Sequence, residues 1–201
     1  MDVLVNNAGA GQLGAAEEVS DEALRDMLAQ HLFGPAALVR AVLPAMRAAG
    51  HGAVVQMSSQ GGRRTFPPSA AMRRASSRWR GGRRPLAGEV APFGIQVLIV
   101  EPSRFRTGFN DADVLAQAPM NEIYDGVLSG IRAAATSTAG QLGDPVRGAA
   151  VIRQVLDDPD APLRLPLGAE AVTAIGGAYR AALADVDRWA TLSASADFPT
   201  V

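Results

Sequence analysis

The sequence predicts an α/β domain whose parallel sheet is flanked by helices, and three observations carry that prediction. Residues 53–57 and 95–100 are short, nearly apolar runs, as expected of strands covered on both faces. Strand-like and helix-like periods alternate along the chain. The 201 residues are 48% hydrophobic and 19% charged, enough for one domain with a real core.

The elements follow in order. Val3, Leu4 and Val5 read as a buried strand that ends in the small residues Ala8, Gly9, Ala10 and Gly11. Ser20 is a candidate N-cap, with Asp21 and Glu22 in the first turn where the helix dipole favours acids. Leu24, Leu28, Leu32, Ala36, Val39, Leu43 and Met46 then mark one face of a long helix that stops at Gly50. Pro35 has no N–H for the carbonyl of His31, so the helix is expected to kink there. Residues 53–57 and 95–100 supply the second and third strands. Asp144 followed by Pro145 predicts a capped helix reaching Leu156. Residues 163–167 read as a short strand, and Pro162 and Pro166 put it at an edge. Residues 170–190 complete the chain as a helix. No repeat or linker divides residues 1–201, which read as a single domain.

Composition excludes some chemistry. There is no cysteine, so disulfides, thiolate nucleophiles and Cys-ligated metals are out, and no metal site is predicted. No segment reads as a secretory leader or an apolar membrane span, so the default expectation is a cytoplasmic protein with no membrane partner. The net charge of -1 hides an asymmetry. All 19 basic residues are arginine, and eight of them (Arg63, Arg64, Arg73, Arg74, Arg78, Arg80, Arg83 and Arg84) fall in 22 residues without an acid.

Several stretches resemble the short-chain dehydrogenase/reductase (SDR) family, in order and spacing. Leu4-Val5-Asn6-Asn7-Ala8-Gly9 is similar to the end of the family's fourth strand. Leu43-Pro44-Ala45-Met46-Arg47 is similar to the end of its next helix, and Met57-Ser58-Ser59-Gln60-Gly61-Gly62 to its fifth strand and serine loop. Glu89-Val90-Ala91-Pro92-Phe93-Gly94-Ile95-Gln96-Val97 leads into a sixth strand, and Val100-Glu101-Pro102-Ser103-Arg104-Phe105-Arg106-Thr107 resembles the loop beside the nicotinamide. Gln141-Leu142-Gly143-Asp144-Pro145 and Pro162-Leu163-Arg164-Leu165-Pro166-Leu167-Gly168 extend the series.

The resemblance implies a partial Rossmann-like parallel sheet that lacks the first three family strands, hence a truncated domain. It implies an NAD(P)-dependent oxidoreductase transferring hydride between an alcohol and a carbonyl, with NAD or NADP as cofactor, a small-molecule substrate and a homo-oligomeric assembly. The family's glycine-rich turn, whose helix N-terminus meets the pyrophosphate, has no counterpart here. Gly9-Ala10-Gly11 lacks the G-x-G-x-x-G pattern and reads as an inner-sheet loop. An apolar first strand left unpaired on one side would invite self-association.

Family catalysis uses a tyrosine as proton donor, a lysine that lowers its pKa, a serine that binds the substrate oxygen, and an asparagine. Carried over position by position, Ser59 matches the serine, whereas Met72 stands for the tyrosine, Ser76 for the lysine and His31 for the asparagine. Methionine transfers no proton, and the chain contains no lysine. Its only tyrosines, Tyr124 and Tyr179, lie far beyond the expected position. The resemblance assigns cofactor contacts to Asn7, Ala8, Gly9, Pro102 and Thr107. Each site residue also has a structural reading. Ser59 either lines the site or caps a strand end, and Thr107 either meets the nicotinamide or caps a turn. His31 is either a base or a half-buried helix residue, and Asn7 either touches ligand or holds the sheet. Ser103 replaces an expected glycine and would strain the turn if that position required positive φ.

Residues 72–85 occupy the place of the catalytic helix, yet contain Gly81-Gly82 and end on Pro85, both helix breakers. Three explanations follow. One is a degenerate, non-catalytic scaffold or interaction protein. A second is nucleic-acid or anionic-membrane binding through the arginines and Trp79, against which stands the lack of any recognisable nucleic-acid module around them. The third is a compensated frameshift. Codons for the family's Lys-Phe-Ala-Leu-Glu-Gly, AAG-TTC-GCG-CTG-GAG-GGG, give Ser-Ser-Arg-Trp-Arg and then a glycine start when read one base late. That reading matches Ser76 to Gly81 in register. The sequence therefore predicts an SDR-type oxidoreductase that is inactive as written, with the non-catalytic scaffold as the alternative.

Overall fold

The computed structural model describes residues 1–63, 85–111, 113–119, 121–137 and 140–198. Met72, Ser76, Trp79 and all the arginines of the basic stretch except Arg63 lie outside the described residues. Four parallel strands form the main sheet in the order β1 (Val3–Asn6), β3 (Gly52–Met57), β4 (Ile95–Pro102) and β6 (Arg164–Leu167). A second, two-stranded parallel ribbon pairs β2 (Gly11–Leu13) with β5 (Leu115–Gln117). Helices cover the main sheet, so the predicted α/β class and Rossmann-like layout hold.

The long helix begins as expected. Ser20 Oγ accepts the Ala23 N–H at 3.1 Å and starts α1 (Asp21–Leu28). The kink takes a specific form. Residues Ala29–Phe33 make a π-helical turn in which Gly34 N–H reaches back to the Ala29 carbonyl. α2 (Gly34–Ala49) then continues with Pro35 in its first turn. One extra residue before the proline absorbs the hydrogen bond that the ring cannot make. Gly50 ends α2 with φ +72°. By length and composition Asp21–Ala49 could cross a membrane, which the sequence reading did not anticipate. Here Met27, Val39 and Met46 turn one of its faces into the protein.

The sheet has two differently covered faces. On one, Val39 and Met46 of α2 and Val90 of the helical residues 85–90 pack on Val54, Ile95 and Val97. On the other, Ile152, Val155 and Leu156 of α4 (Pro145–Leu156) pack on Val55, Leu98, Val100 and Leu167. Coverage on that second face stops short of β1. Val3 is 45% and Val5 54% exposed, so the buried strand expected from sequence is a one-sided edge, with Leu4 alone of the three turned to the core. Apolar type says a residue can be buried; which neighbour covers it is a tertiary fact.

α3 (Asp125–Thr136) follows β5, and α5 (Ala169–Ala194) extends the predicted last helix at both ends. Asp144 caps α4, its Oδ1 accepting from Val146 N at 2.8 Å and Arg147 N at 3.3 Å. Asp144→Ala is expected to lower stability by about 1 kcal/mol, a fall of roughly 2–4 °C in Tm, checked by thermal unfolding.

Candidate functional site

All four strands of the main sheet point the same way, so the loops after Asn6, Met57, Pro102 and Leu167 gather at one edge. In open parallel sheets that carboxyl edge is where ligands are held. The loop after β1 leaves Asn7 and Ala8 exposed. The π-helical turn pins the rest of it. Ala10 N–H donates to Gln30 Oε1 at 2.7 Å, and His31 Nε2 lies 2.8 Å from the Ala10 carbonyl. A carbonyl only accepts, so His31 carries its proton on Nε2 and serves as a clamp on the loop. A Cβ on Gly9 would sit 2.9 Å from His31 Cε1, which explains the glycine by lack of room.

Ser59 follows β3 in extended backbone, and its Oγ accepts the Gly61 N–H at 3.0 Å. That uses one lone pair and leaves the hydroxyl proton free to donate. Pro102 ends β4. Ser103 N–H then pairs with the Leu167 carbonyl at 2.9 Å. No described non-glycine residue has positive φ, so the strain anticipated at Ser103 does not occur. Thr107 is exposed and caps the turn Gly108–Asn110, its Oγ1 accepting from Phe109 N at 3.3 Å. Thus the carboxyl edge gathers the Asn7-Ala8-Gly9 loop, Ser59 and Pro102, while Thr107 stands five residues past the end of β4.

Sequence reasoning missed a buried polar layer just behind this edge. Asn6, Gln56, Ile99 and Arg164 are register partners across β1, β3, β4 and β6, and Glu101 lies two residues beyond Ile99 on the same face. Both side-chain polar atoms of Asn6, Gln56 Nε2 and Ser58 Oγ are buried without a protein hydrogen-bond partner. Glu101 is 1% exposed, and its Oε1 accepts from Arg63 Nε and Arg164 NH1, both at 2.9 Å. The Arg63 guanidinium also lies 5.2 Å from the centre of the Tyr179 ring. Burial, with Arg63 alongside, holds the Arg164 pKa below the usual arginine range. The available signal was a polar residue inside each apolar run: Gln56 after Ala53-Val54-Val55, and Glu101 after Leu98-Ile99-Val100.

A second anchor stands beside the β2–β5 ribbon. Glu18 accepts from Ala15 N at 2.6 Å, Asn121 N at 2.9 Å and Arg132 NH2 at 3.2 Å. The Ala15 N–H, foremost, keeps its carboxyl below the usual carboxylate range. Tyr124 is nearby, and a hydrogen bond to Glu17 is the main cause raising its pKa above the ordinary phenol value. A proton donor tuned for catalysis needs the opposite shift.

The implied cofactor meets an incomplete seat. The loop after β1 runs into strand β2 and not directly into a helix, so it supplies no helix N-terminus of its own to receive a pyrophosphate. Among the described residues the carboxyl edge offers small residues, Ser59 and the orphaned polar atoms behind them. These do not make a whole dinucleotide site.

Comparison with known proteins matches this geometry. The family described as short chain dehydrogenase matches residues 1–117. Oxidoreductase BOA17 of Botryotinia fuckeliana (strain B05.10) is 31% identical over 195 residues, spanning 96% of this chain and 70% of that protein. A short-chain dehydrogenase from Streptomyces avermitilis superposes with a TM-score of 0.90 at 42% identity, over 98% of this chain and 71% of the other. A 3-ketoacyl-(acyl-carrier-protein) reductase from Brucella melitensis, solved with NADH, shares the fold alone, with a TM-score of 0.61 at 22% identity over 82% of this chain and 64% of the other.

Proposed function

The chain belongs to the short-chain dehydrogenase family, and from that premise we propose that it is an SDR oxidoreductase scaffold that transfers no hydride in its present sequence. One observation carries the reading. Met72 and Ser76 stand where the family places its tyrosine and lysine, and neither tyrosine of the chain substitutes for them. Tyr124 is biased toward its protonated form by Glu17. Tyr179 projects from the last helix against Arg63.

What remains is the substrate-facing edge. Ser59 would hold an alcohol or carbonyl oxygen with its free hydroxyl proton. Asn7, Ala8 and Gly9 would pass near the adenosine half of NAD or NADP, and Pro102 and Thr107 would border the nicotinamide, the group that supplies hydride in this family. Without a proton donor beside the carbonyl, reduction would build negative charge on oxygen with nothing to quench it. The test mixes the purified chain with NADH or NADPH and a panel of carbonyl compounds. The expected result is no saturable fluorescence enhancement and no turnover above buffer, with Ser59→Ala indistinguishable from the parent. Micromolar cofactor binding would overturn the account of the seat. Stoichiometric cofactor oxidation by carbonyl would overturn the account of the missing donor.

A further observation favours a shifted reading frame as the reason. Methionine and tryptophan each have one codon, which constrains the adjacent frame. One synonymous codon set, ATG-CGG-CGA-GCA-AGT-TCG-CGC-TGG-AGG, would encode Met72 to Arg80. With one T before them they also read TAT-GCG-GCG-AGC-AAG-TTC-GCG-CTG-GAG, which is Tyr-Ala-Ala-Ser-Lys-Phe-Ala-Leu-Glu. A tyrosine and a lysine four apart thus fit the frame next to Met72 and Ser76. Sequencing the gene across these codons decides it: an adjacent frame without Tyr-x-x-x-Lys ends the frameshift account.

A further inference from the structure

We infer that the outer half of α5 pairs two copies of this chain into an antiparallel helical dimer. α5 is 26 residues long, and Ala171 and Ile175 anchor its first half in the protein. From Tyr179 to the end of the described chain every residue is exposed. Leu183 is 61% and Val186 65% exposed. A lone helical arm of this length gains little stability in water from its own hydrogen bonds, and an uncovered apolar stripe calls for a partner.

The spacing identifies that partner. Gly176, Tyr179, Leu183, Val186, Ala190 and Ser193 follow a 3,4,3,4,3 step, the core positions of a two-helix seam. Arg180 and Asp187 fall on one flank of that seam, and Ala182 and Trp189 on the other. When a helix pairs with an antiparallel copy of itself, each flank meets the same flank of its mate. If Leu183 is set against the second copy's Val186, Tyr179 falls against Ala190 and Gly176 against Ser193. In the same register Arg180 approaches the second copy's Asp187, and Ala182 approaches its Trp189. Each aromatic, Tyr179 and Trp189, meets an alanine, Leu183 meets an apolar valine, and each flanking charge meets its opposite, twice by symmetry. A parallel pair would lose this, because each flank would then meet the opposite flank, setting Arg180 and Asp187 against the uncharged side that carries Ala182 and Trp189. The pairing does not depend on whether the chain is catalytic.

The test is sedimentation velocity on the full chain over a concentration series, with circular dichroism as a check of folding. The parent is expected to sediment as a dimer. Arg180→Glu or Asp187→Arg alone puts like charges together on one flank and should weaken dimerisation about tenfold. The double variant Arg180→Glu with Asp187→Arg restores both pairs and should restore the dimer. Leu183→Glu should give monomer with unchanged fold. A monomeric parent would overturn the inference, and so would a dimer indifferent to Leu183→Glu or a double variant as weak as either single one. If the arm is covered instead by another segment of its own chain, the parent is monomeric, which also refutes it.

Discussion

Glu101→Ala is expected to lower the unfolding free energy by about 3 kcal/mol, a fall of roughly 6–12 °C in Tm. The carboxylate is buried and is shared by two guanidinium groups, so its loss leaves two cations crowded together with no counter-charge. Removing one member of a buried pair typically costs about 3–5 kcal/mol. The lower figure applies because the Arg63 and Arg164 side chains are 18% and 15% exposed and water reaches them in part. The network also predicts an asymmetry. Arg164→Met should cost clearly less than Glu101→Ala, because Arg63 still neutralises the carboxylate and the repulsion between the two arginines disappears. Urea unfolding of the two variants and their double mutant checks this. Equal losses in both would show that the shared carboxylate is not what holds the layer together.

Gly94→Ala is the second large effect, expected at about 3 kcal/mol. Gly94 turns the chain into β4 with φ +69°, and a Cβ there would run into the Gly50 carbonyl oxygen. That obstacle is backbone, at the point where α2 ends and β3 begins, so it cannot rotate aside. Left-handed geometry alone costs a residue with a Cβ about 1–2 kcal/mol; the collision adds the rest. Gly50→Ala is the control. It has nearly the same φ, +72°, but open space around the new methyl, so about 1 kcal/mol is expected. Denaturant midpoints for the two variants separate backbone strain from collision. A Gly94→Ala variant no worse than Gly50→Ala would show that the two turns give way.

Features governed by a few neighbouring residues were legible in the sequence. Ser20, Gly50 and Asp144 act through hydrogen bonds within three residues, and the structure places each where the local pattern put it. Pro35 told that the helix would be disturbed; the form of the disturbance, a π turn, is settled by Gln30 and His31 reaching the β1 loop. The strands β2 and β5 were invisible because three residues have no period to read, and each exists only through a partner about a hundred positions away. Glu101 was quoted within a family motif, yet its two arginines come from positions 63 and 164, and only the fold brings them together. Type and position marked Ser59 and Thr107 as residues that either face the site or cap a local turn. That both hydroxyls accept hydrogen bonds from their own turns depends on loop geometry.

The ribbon of β2 and β5 bears on how this edge could move. The connection that follows β4 is sewn at Leu115–Gln117 to the segment that follows the β1 loop. Ala118 N–H adds a stitch to the Leu13 carbonyl at 2.7 Å, and Glu18 fastens Asn121 just beyond. A cover hinged on both sides of such a seam cannot swing as one flap. A shift of Leu115–Gln117 would carry Gly11–Leu13 with it. Lengthening the chain between Thr107 and Asp111 would then leave the seam intact, whereas lengthening it within Leu115–Gln117 would tear it.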